Sequence, residues 1–284
     1  ILTNNKLIGI RDPFGIRPLV LGKLNQSYVL ASETCAFDIV GAEFLRDINH
    51  GEMVIIDENG VTSLQPFETK PSKFCIFEYI YFSRPDSSLE GKNVYEMRKR
   101  IGVELAKEIN IDADVVVPIP DSGVPAAIGY AAESKIPFEL GIIRNHYVGR
   151  TFIEPTDKVR HFGVKLKHNA NLAVIKDKRV ILIDDSIVRG TTSKKIVQMI
   201  RDAGAKEIHM IIASPPTISP CFYGVDTPNK ENLIASHMSV QEIADMIGVD
   251  SLHYISTNGL YKAILEQDRD SENPQYCDAC FSND

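Results

Sequence analysis

No apolar run in the 284 residues approaches the roughly 20 that a membrane-spanning helix requires. The first residues carry no basic segment followed by an apolar one, so nothing points to secretion and the expectation is a cytoplasmic protein without a membrane partner. Positive charge is also in short supply. The 31 Lys and Arg against 38 Asp and Glu leave a net charge of -7, which argues against a nucleic-acid binder with a broad basic face. Any anionic ligand must therefore be held locally. Cys35, Cys75, Cys221, Cys277 and Cys280 are too few and too scattered for a disulfide framework, and read as core residues or metal ligands. Internal repeats and low-complexity tracts are absent. There is no initiator Met either: the text opens "ILTNNKLIGIRD", already strand-like, and is expected to be the remainder of something longer.

What is present is an ordinary globular composition, 44% hydrophobic, long enough for one large or two modest domains. Up to about Thr69 the segments "KLIGI", "PLVLGKL", "SYVLAS" and "EMVIID" alternate with Gly, Pro, Asn and Asp, the punctuation of an antiparallel meander. The turn-like "PFETKPSK" then precedes a helix in which Met97, Ile101, Leu105 and Ala106 recur at helical spacing, placing a boundary near residue 70. Beyond it "ADVVVPIP", "ELGIIR", "RVILI" and "EIHMIIAS" read as strands, and "VPAAIGYAAES" and "TSKKIVQMIRDAG" as helices. This alternation predicts an α/β fold with a parallel sheet covered on both faces and ligands at the carboxyl ends of its strands. A polar segment from about Asn145 to Ala170 is longer than a connector needs to be, and has the length of a functional lid.

In "RVILIDDSIVRGTTSKK" two carboxylates, Asp184 and Asp185, follow a buried strand directly. Gly190, Thr191, Thr192 and Ser193 then lead into a helix. A helix amino terminus offers unpaired N–H groups and a partial positive charge, so this end suits a phosphate while the carboxylates accept from sugar hydroxyls. Asp after a strand with Ser or Thr at a helix start is also a common capping arrangement. A second strand end, "VVVPIPDSGVPAA", favours the ligand reading: it presents Asp121, Ser122 and Gly123 before a helix with Pro125 near its first turn. Two anion sites on one edge predict a ligand phosphorylated at both ends, and carboxylates between them suit Mg²⁺, which takes few protein ligands.

"VILIDDSIVRGTT" resembles the 5-phosphoribosyl-1-pyrophosphate (PRPP) motif of the type I phosphoribosyltransferases, and "PIPDSG" resembles their pyrophosphate loop. With "RDPFGIRPLVLG", "YIYFSRPDS", "NVYEMRKRIG" and "NHYVGRTFIEP", essentially the whole chain resembles the glutamine PRPP amidotransferase family. That resemblance implies the carboxyl-terminal part of an amino-terminal nucleophile (αββα) glutaminase domain over residues 1–70. It further implies a phosphoribosyltransferase domain over 71–265 and a tail over 266–284. The implied reaction opens de novo purine synthesis: ammonia from glutamine displaces pyrophosphate from PRPP to give 5-phosphoribosylamine. Asp121, Ser122, Gly123, Asp184, Asp185, Ser186, Arg189, Gly190, Thr191 and Thr192 are implied to bind PRPP, with Mg²⁺ on Ser122, Asp184 and Asp185. A mobile loop over 147–167 would contribute Tyr147, Arg150, Arg160 and Lys165. Feedback by purine nucleotides and a homotetramer belong to the same expectation.

The family's glutaminase nucleophile is an amino-terminal Cys, whereas this text begins with Ile1, so no glutaminase catalytic residue is expected in this chain and its transfer is expected to depend on free ammonia. Cys35 is internal and reads as a small buried hydrophobe. By spacing alone, Cys277 and Cys280 with Cys75 and Cys221 suit zinc and iron–sulfur equally. One branch of the family carries a [4Fe-4S] cluster on four cysteines in like contexts, and all four positions match. The rival readings are a nucleobase salvage phosphoribosyltransferase and a non-catalytic PRPP-sensing regulator. The first leaves residues 1–70 and the four cysteines unexplained, and the second lacks a basic DNA-binding module.

Overall fold

The computed structural model describes residues 1–145, 168–227 and 229–283. Its first part contains β1 (Leu7–Ile10), β2 (Val20–Leu24), β3 (Ser27–Ala31), β4 (Glu43–Asp47), β5 (Met53–Asp57) and β6 (Gly60–Leu64). These form two antiparallel three-stranded sheets, ordered β1-β5-β6 and β3-β2-β4, rather than one meander. The departure follows from a short helix, α1 (Cys35–Val40), which buries Cys35 and Phe37 and ends in left-handed Gly41. It interrupts the run of strands between β3 and β4, and β4 returns to pair with β2. Cys35 is accordingly the buried small residue expected of it.

Strands β7 (Phe74–Cys75), β8 (Ser88–Leu89) and β9 (Lys92–Asn93) lead to α2 (Val94–Glu108), capped by Asn93, whose side chain accepts from the Glu96 N–H at 3.1 Å. Next come β10 (Val115–Pro118), α3 (Val124–Ser134), β11 (Ile142–Arg144), β12 (His168–Ala170), α4 (Leu172–Ile175) and β13 (Arg179–Asp184). The chain continues with α5 (Thr191–Asp202), β14 (Glu207–Ile212), α6 (Val240–Ile247), β15 (Ser251–Tyr254) and α7 (Thr257–Leu265). Strands β10-β13-β14-β15 pair in parallel throughout.

Side chains alternate across that sheet, as strand geometry requires. Val116, Ile181, Ile183 and Ile211 pack with Met97, Ile101, Tyr130, Leu260 and Ile264 of α2, α3 and α7. Val115, Val117, Val180, Leu182 and Met210 pack on the other face with Ile196, Ile200, Ile243 and Ile247 of α5 and α6. The "ELGIIR" segment is an exception to the expected parallel order. Its Ile142–Arg144 pair antiparallel with β12, and only a single bridge, Phe138 to Val116, ties the segment to β10. Among the described residues no helix is long and apolar enough to cross a membrane.

The tail folds back: β16 (Tyr276–Cys277) pairs with β7 in parallel, and the Tyr276 ring sits edge-on to those of Phe74, Tyr79 and Tyr261. Helices α2 and α3 approach closely because both contact positions are glycine. A Cβ on Gly102 would lie 1.9 Å from the Ala126 carbonyl oxygen, and one on Gly129 would lie 1.9 Å from that of Lys99. Gly129→Ala forces the helices apart and will cost about 1–3 kcal/mol, read as a fall in thermal melting temperature.

Candidate functional site

β10 and β13 lie side by side with Pro118 opposite Ile183, and the Ile119 N–H extends the pairing by donating to the Ile183 carbonyl at 2.8 Å. The two loops that follow therefore leave the sheet level with each other. After β10 the peptide between Pro120 and Asp121 is cis, and the Gly123 N–H donates back to the Ile119 carbonyl at 3.0 Å before α3 begins. A Cβ on Gly123 would stand 2.2 Å from the Ile183 carbonyl oxygen, so only glycine lets this turn lie against β13. After β13 the Asp185 N–H donates to Asp184 Oδ1 at 2.9 Å, and Ser186 Oγ donates to Asp185 Oδ1 at 2.5 Å. Gly190, left-handed at φ 71°, then turns the chain into α5.

Both acids are buried, and Asp185 lines one narrow crevice with Ser122, Arg98, Ile80 and Ala213. Asp185 and the Ser122 turn are thus brought together, with Asp184 the residue before. Burial, and after it the neighbouring Asp185 charge, holds the Asp184 carboxyl well above the ordinary carboxylate range. Two adjacent buried carboxylates with one backbone N–H between them are the chemistry of a cation site, and two protein carboxylates are as many as Mg²⁺ commonly takes. Arg189, Thr191 and Thr192 are exposed around the start of α5, where its unpaired N–H groups also lie. Asp121 is exposed and ion-pairs with Arg144 at the end of β11. Tyr147, Arg150, Arg160 and Lys165 lie outside the described residues, as do His146, His161 and Lys167.

The sequence reading missed Arg98. It stands on the buried stripe of α2 made by Val94, Met97, Ile101, Gly102 and Leu105, and a basic residue at that register is the signal that was available.

The four matched cysteines also meet. The β7–β16 register sets Cys277 opposite Cys75, and both line one narrow cavity with Cys221 and Cys280. Phe77, Val188 and Val225 share its wall. Burial pushes the Cys75 thiol up to about 12 and raises those of Cys277 and Cys280, so these sulfurs ionise only against a strong positive partner. Among the described residues no three His, Cys, Asp or Glu side chains are grouped closely enough to hold a single metal ion. The four thiols nevertheless line one cavity, and they are the side chains there that could hold a metal group.

Comparison with known proteins agrees with this geometry. The phosphoribosyl transferase domain family matches residues 89–215. The amidophosphoribosyltransferase of Rhizobium etli is 57% identical over 289 residues, covering 100% of this chain and 58% of that protein. That of Bacillus subtilis is 51% identical over 282 residues, covering 99% and 59%. The solved structure of the B. subtilis glutamine PRPP amidotransferase complexed with ADP and GMP superposes with a TM-score of 0.91 at 50% identity, covering 100% of this chain and 62% of that one. The chain therefore spans rather less than two thirds of the length of these relatives.

Because the Gly123 turn rests directly on β13, Gly123→Ala will push it off that strand and cost about 1–3 kcal/mol, read as a fall in thermal melting temperature. The parallel sheet, its two loop–helix cradles and the matched profile make the second part of this chain a type I phosphoribosyltransferase domain, joined in a polypeptide that is similar along its whole length to amidophosphoribosyltransferases.

Proposed function

We propose that this chain carries the transfer half of an amidophosphoribosyltransferase: PRPP and ammonia give 5-phosphoribosylamine and pyrophosphate, the opening step of de novo purine synthesis, with glutamine as the source of ammonia in the complete enzyme. The observation that carries the reading is the common edge at which the Ser122 turn, the Asp184–Asp185 pair and the start of α5 meet.

Displacement at the anomeric carbon develops positive charge on the sugar and negative charge on the departing pyrophosphate, so positioning and electrostatics matter more than a protein nucleophile. Ser186, Arg189, Gly190, Thr191 and Thr192 would receive the 5-phosphate on the N–H groups and hydroxyls that open α5. Asp121, Ser122 and Gly123 would take the pyrophosphate end, and the acids would fix the ribose between them through its hydroxyls. Bound to Ser122, Asp184 and Asp185, Mg²⁺ would neutralise charge on the leaving group. Arg150, Arg160 and Lys165 would add positive charge at that end.

The thiols of Cys75, Cys221, Cys277 and Cys280 would hold a [4Fe-4S] cluster that fastens the tail to β7. A cytoplasmic setting, which keeps thiols reduced, goes with this reading. Control by purine nucleotides and assembly into a homotetramer are proposed from the similarity alone; the B. subtilis relative is the one solved with ADP and GMP.

The purified chain, given PRPP, Mg²⁺ and ammonium, will release pyrophosphate, and Asp185→Asn will lower the rate at least about a hundredfold. Pyrophosphate release with free nucleobases in place of ammonium would instead identify a salvage enzyme. Protein purified without oxygen will be brown and contain about four iron and four sulfide per chain, whereas Cys277→Ser will be colourless and melt at lower temperature. Stoichiometric zinc without sulfide would overturn the cluster assignment.

A further inference from the structure

Arg98 is 5% exposed, yet it carries a full charge into the core between α2 and the sheet. Its Nε donates to the Tyr79 carbonyl at 3.1 Å and its Nη2 to the Ser83 carbonyl at 2.6 Å, gripping both sides of the helical turn Glu78–Phe82. It lines the cavity it shares with Ser122 and Asp185, and that cavity has no room for a water molecule. Burial works against the Arg98 charge, and of the acidic groups around it Asp185 does most to sustain it, ahead of Glu33 and Glu78. Two neutral carbonyls do not require a guanidinium. Keeping one here costs several kcal/mol of desolvation unless an opposing charge offsets it.

The turn that Arg98 grips is itself fixed from the first part of the chain. Arg17 Nη1 lies 3.0 Å from Glu78 Oε1, and its guanidinium stacks 4.4 Å from the centre of the Phe82 ring. Ser83 Oγ closes the other side by a hydrogen bond to Glu78 Oε2.

Resting on the phosphoribosyl-transfer reading, we propose that Arg98 is a positioning residue for that reaction: a buried cation, mounted on the Glu78–Phe82 turn, that draws the Asp185 carboxylate toward the Ser122 side of the site. Without it, the Ser186 hydroxyl on Oδ1 is what remains to set which way Asp185 faces. With it, Asp185 is held over the crevice it shares with Ser122. Arg98 does not touch the ligand, and acts through Asp185.

The test compares the wild-type chain with Arg98→Met, Arg98→Gln and Arg98→Lys, well below their melting temperatures, in pyrophosphate release from PRPP and ammonium. Both neutral variants are expected to raise KM for PRPP, and its Kd by calorimetry, about tenfold with KM for ammonium unchanged, and Arg98→Lys to stay within about threefold of wild type. Arg98→Gln removes the charge while keeping an N–H for a carbonyl, so it carries the test if Arg98→Met does not fold. Neutral variants whose kinetic constants match wild type while melting earlier would overturn the proposal and leave Arg98 a purely structural clamp. Arg98→Lys as impaired as the neutral variants would overturn it as well. A wild-type chain that neither binds nor consumes PRPP would overturn the transfer reading itself, a result visible before any variant is compared.

Discussion

The Ile183 carbonyl is the atom on which the site is built. It accepts the Ile119 N–H at 2.8 Å, and it occupies the space a Cβ on Gly123 would need, 2.2 Å away. One residue later the chain reaches Asp184 and leaves the sheet. A single main-chain oxygen thus sets the height of β10 against β13, the distance of the Ser122 turn from the acids, and the level at which α3 and α5 present their first turns. A displacement of β13 by one residue would reverse which side chains face each layer and carry the acids away from the turn. The interleaved cores on the two faces of the sheet hold that register.

The remainder of the molecule serves to keep this edge supplied with fixed charge. Residues 1–64 form a thin unit whose own buried cluster is Leu21, Ile48 and Val54, and much of its attachment to the rest is polar. Arg11 is almost wholly buried, donates to the carbonyls of Ile48 and Gly15, and pairs with Glu90 at 2.6 Å. Glu33 accepts from the Arg84 N–H and from Ser87 Oγ. These contacts converge on the segment from Glu78 to Glu90, which lies between the first strands and α2. The tail approaches the beginning of the same segment, where β16 pairs with β7 and Asp278 takes hydrogen bonds from Tyr261 and Arg269. Residues 74–90 are therefore clamped from three directions, and Arg98 is the side chain that passes this constraint toward the acids.

The parts of the fold legible in the sequence are those in which local pattern and tertiary environment agree. Continuous apolar runs such as "VVVP" and "VILI" are buried on both faces of a parallel sheet, and "VPAAIGYAAES" is a helix over Val124–Ser134 as its Pro and small residues indicate. Spacing suggests Cys277 and Cys280, with Cys75 and Cys221, as a set of metal ligands, but their meeting in one cavity depends on the long-range β7–β16 pairing, which no local periodicity encodes. "ELGIIR" has the composition of a core strand, but Ile143 is exposed and the strand pairs off to one side, a decision made by its partner β12. The two-sheet order of residues 1–64 was hidden for the same reason: β1 finds β5 across more than forty residues, beyond the reach of any turn signal. Arg98 shows the converse: its register on the apolar stripe of α2 marks it as buried, but its partners at Tyr79 and Ser83 lie outside any local pattern.

On the proposed reading a chain of net charge -7 takes a doubly phosphorylated anion, an electrostatic difficulty whose resolution is local. Backbone N–H groups at the first turns of α3 and α5 carry no formal charge and so do not enter that sum, yet each acts over a few ångströms like a partial cation aimed at the edge. Between these two ends stand Asp184 and Asp185, both buried, and burial opposes a bare negative charge on either. On the proposed reading, such a pair would repel the sugar phosphate alone and attract its magnesium complex. Selectivity for the metal-bound form would then follow from the same two residues proposed to fix the ribose, without an additional basic surface.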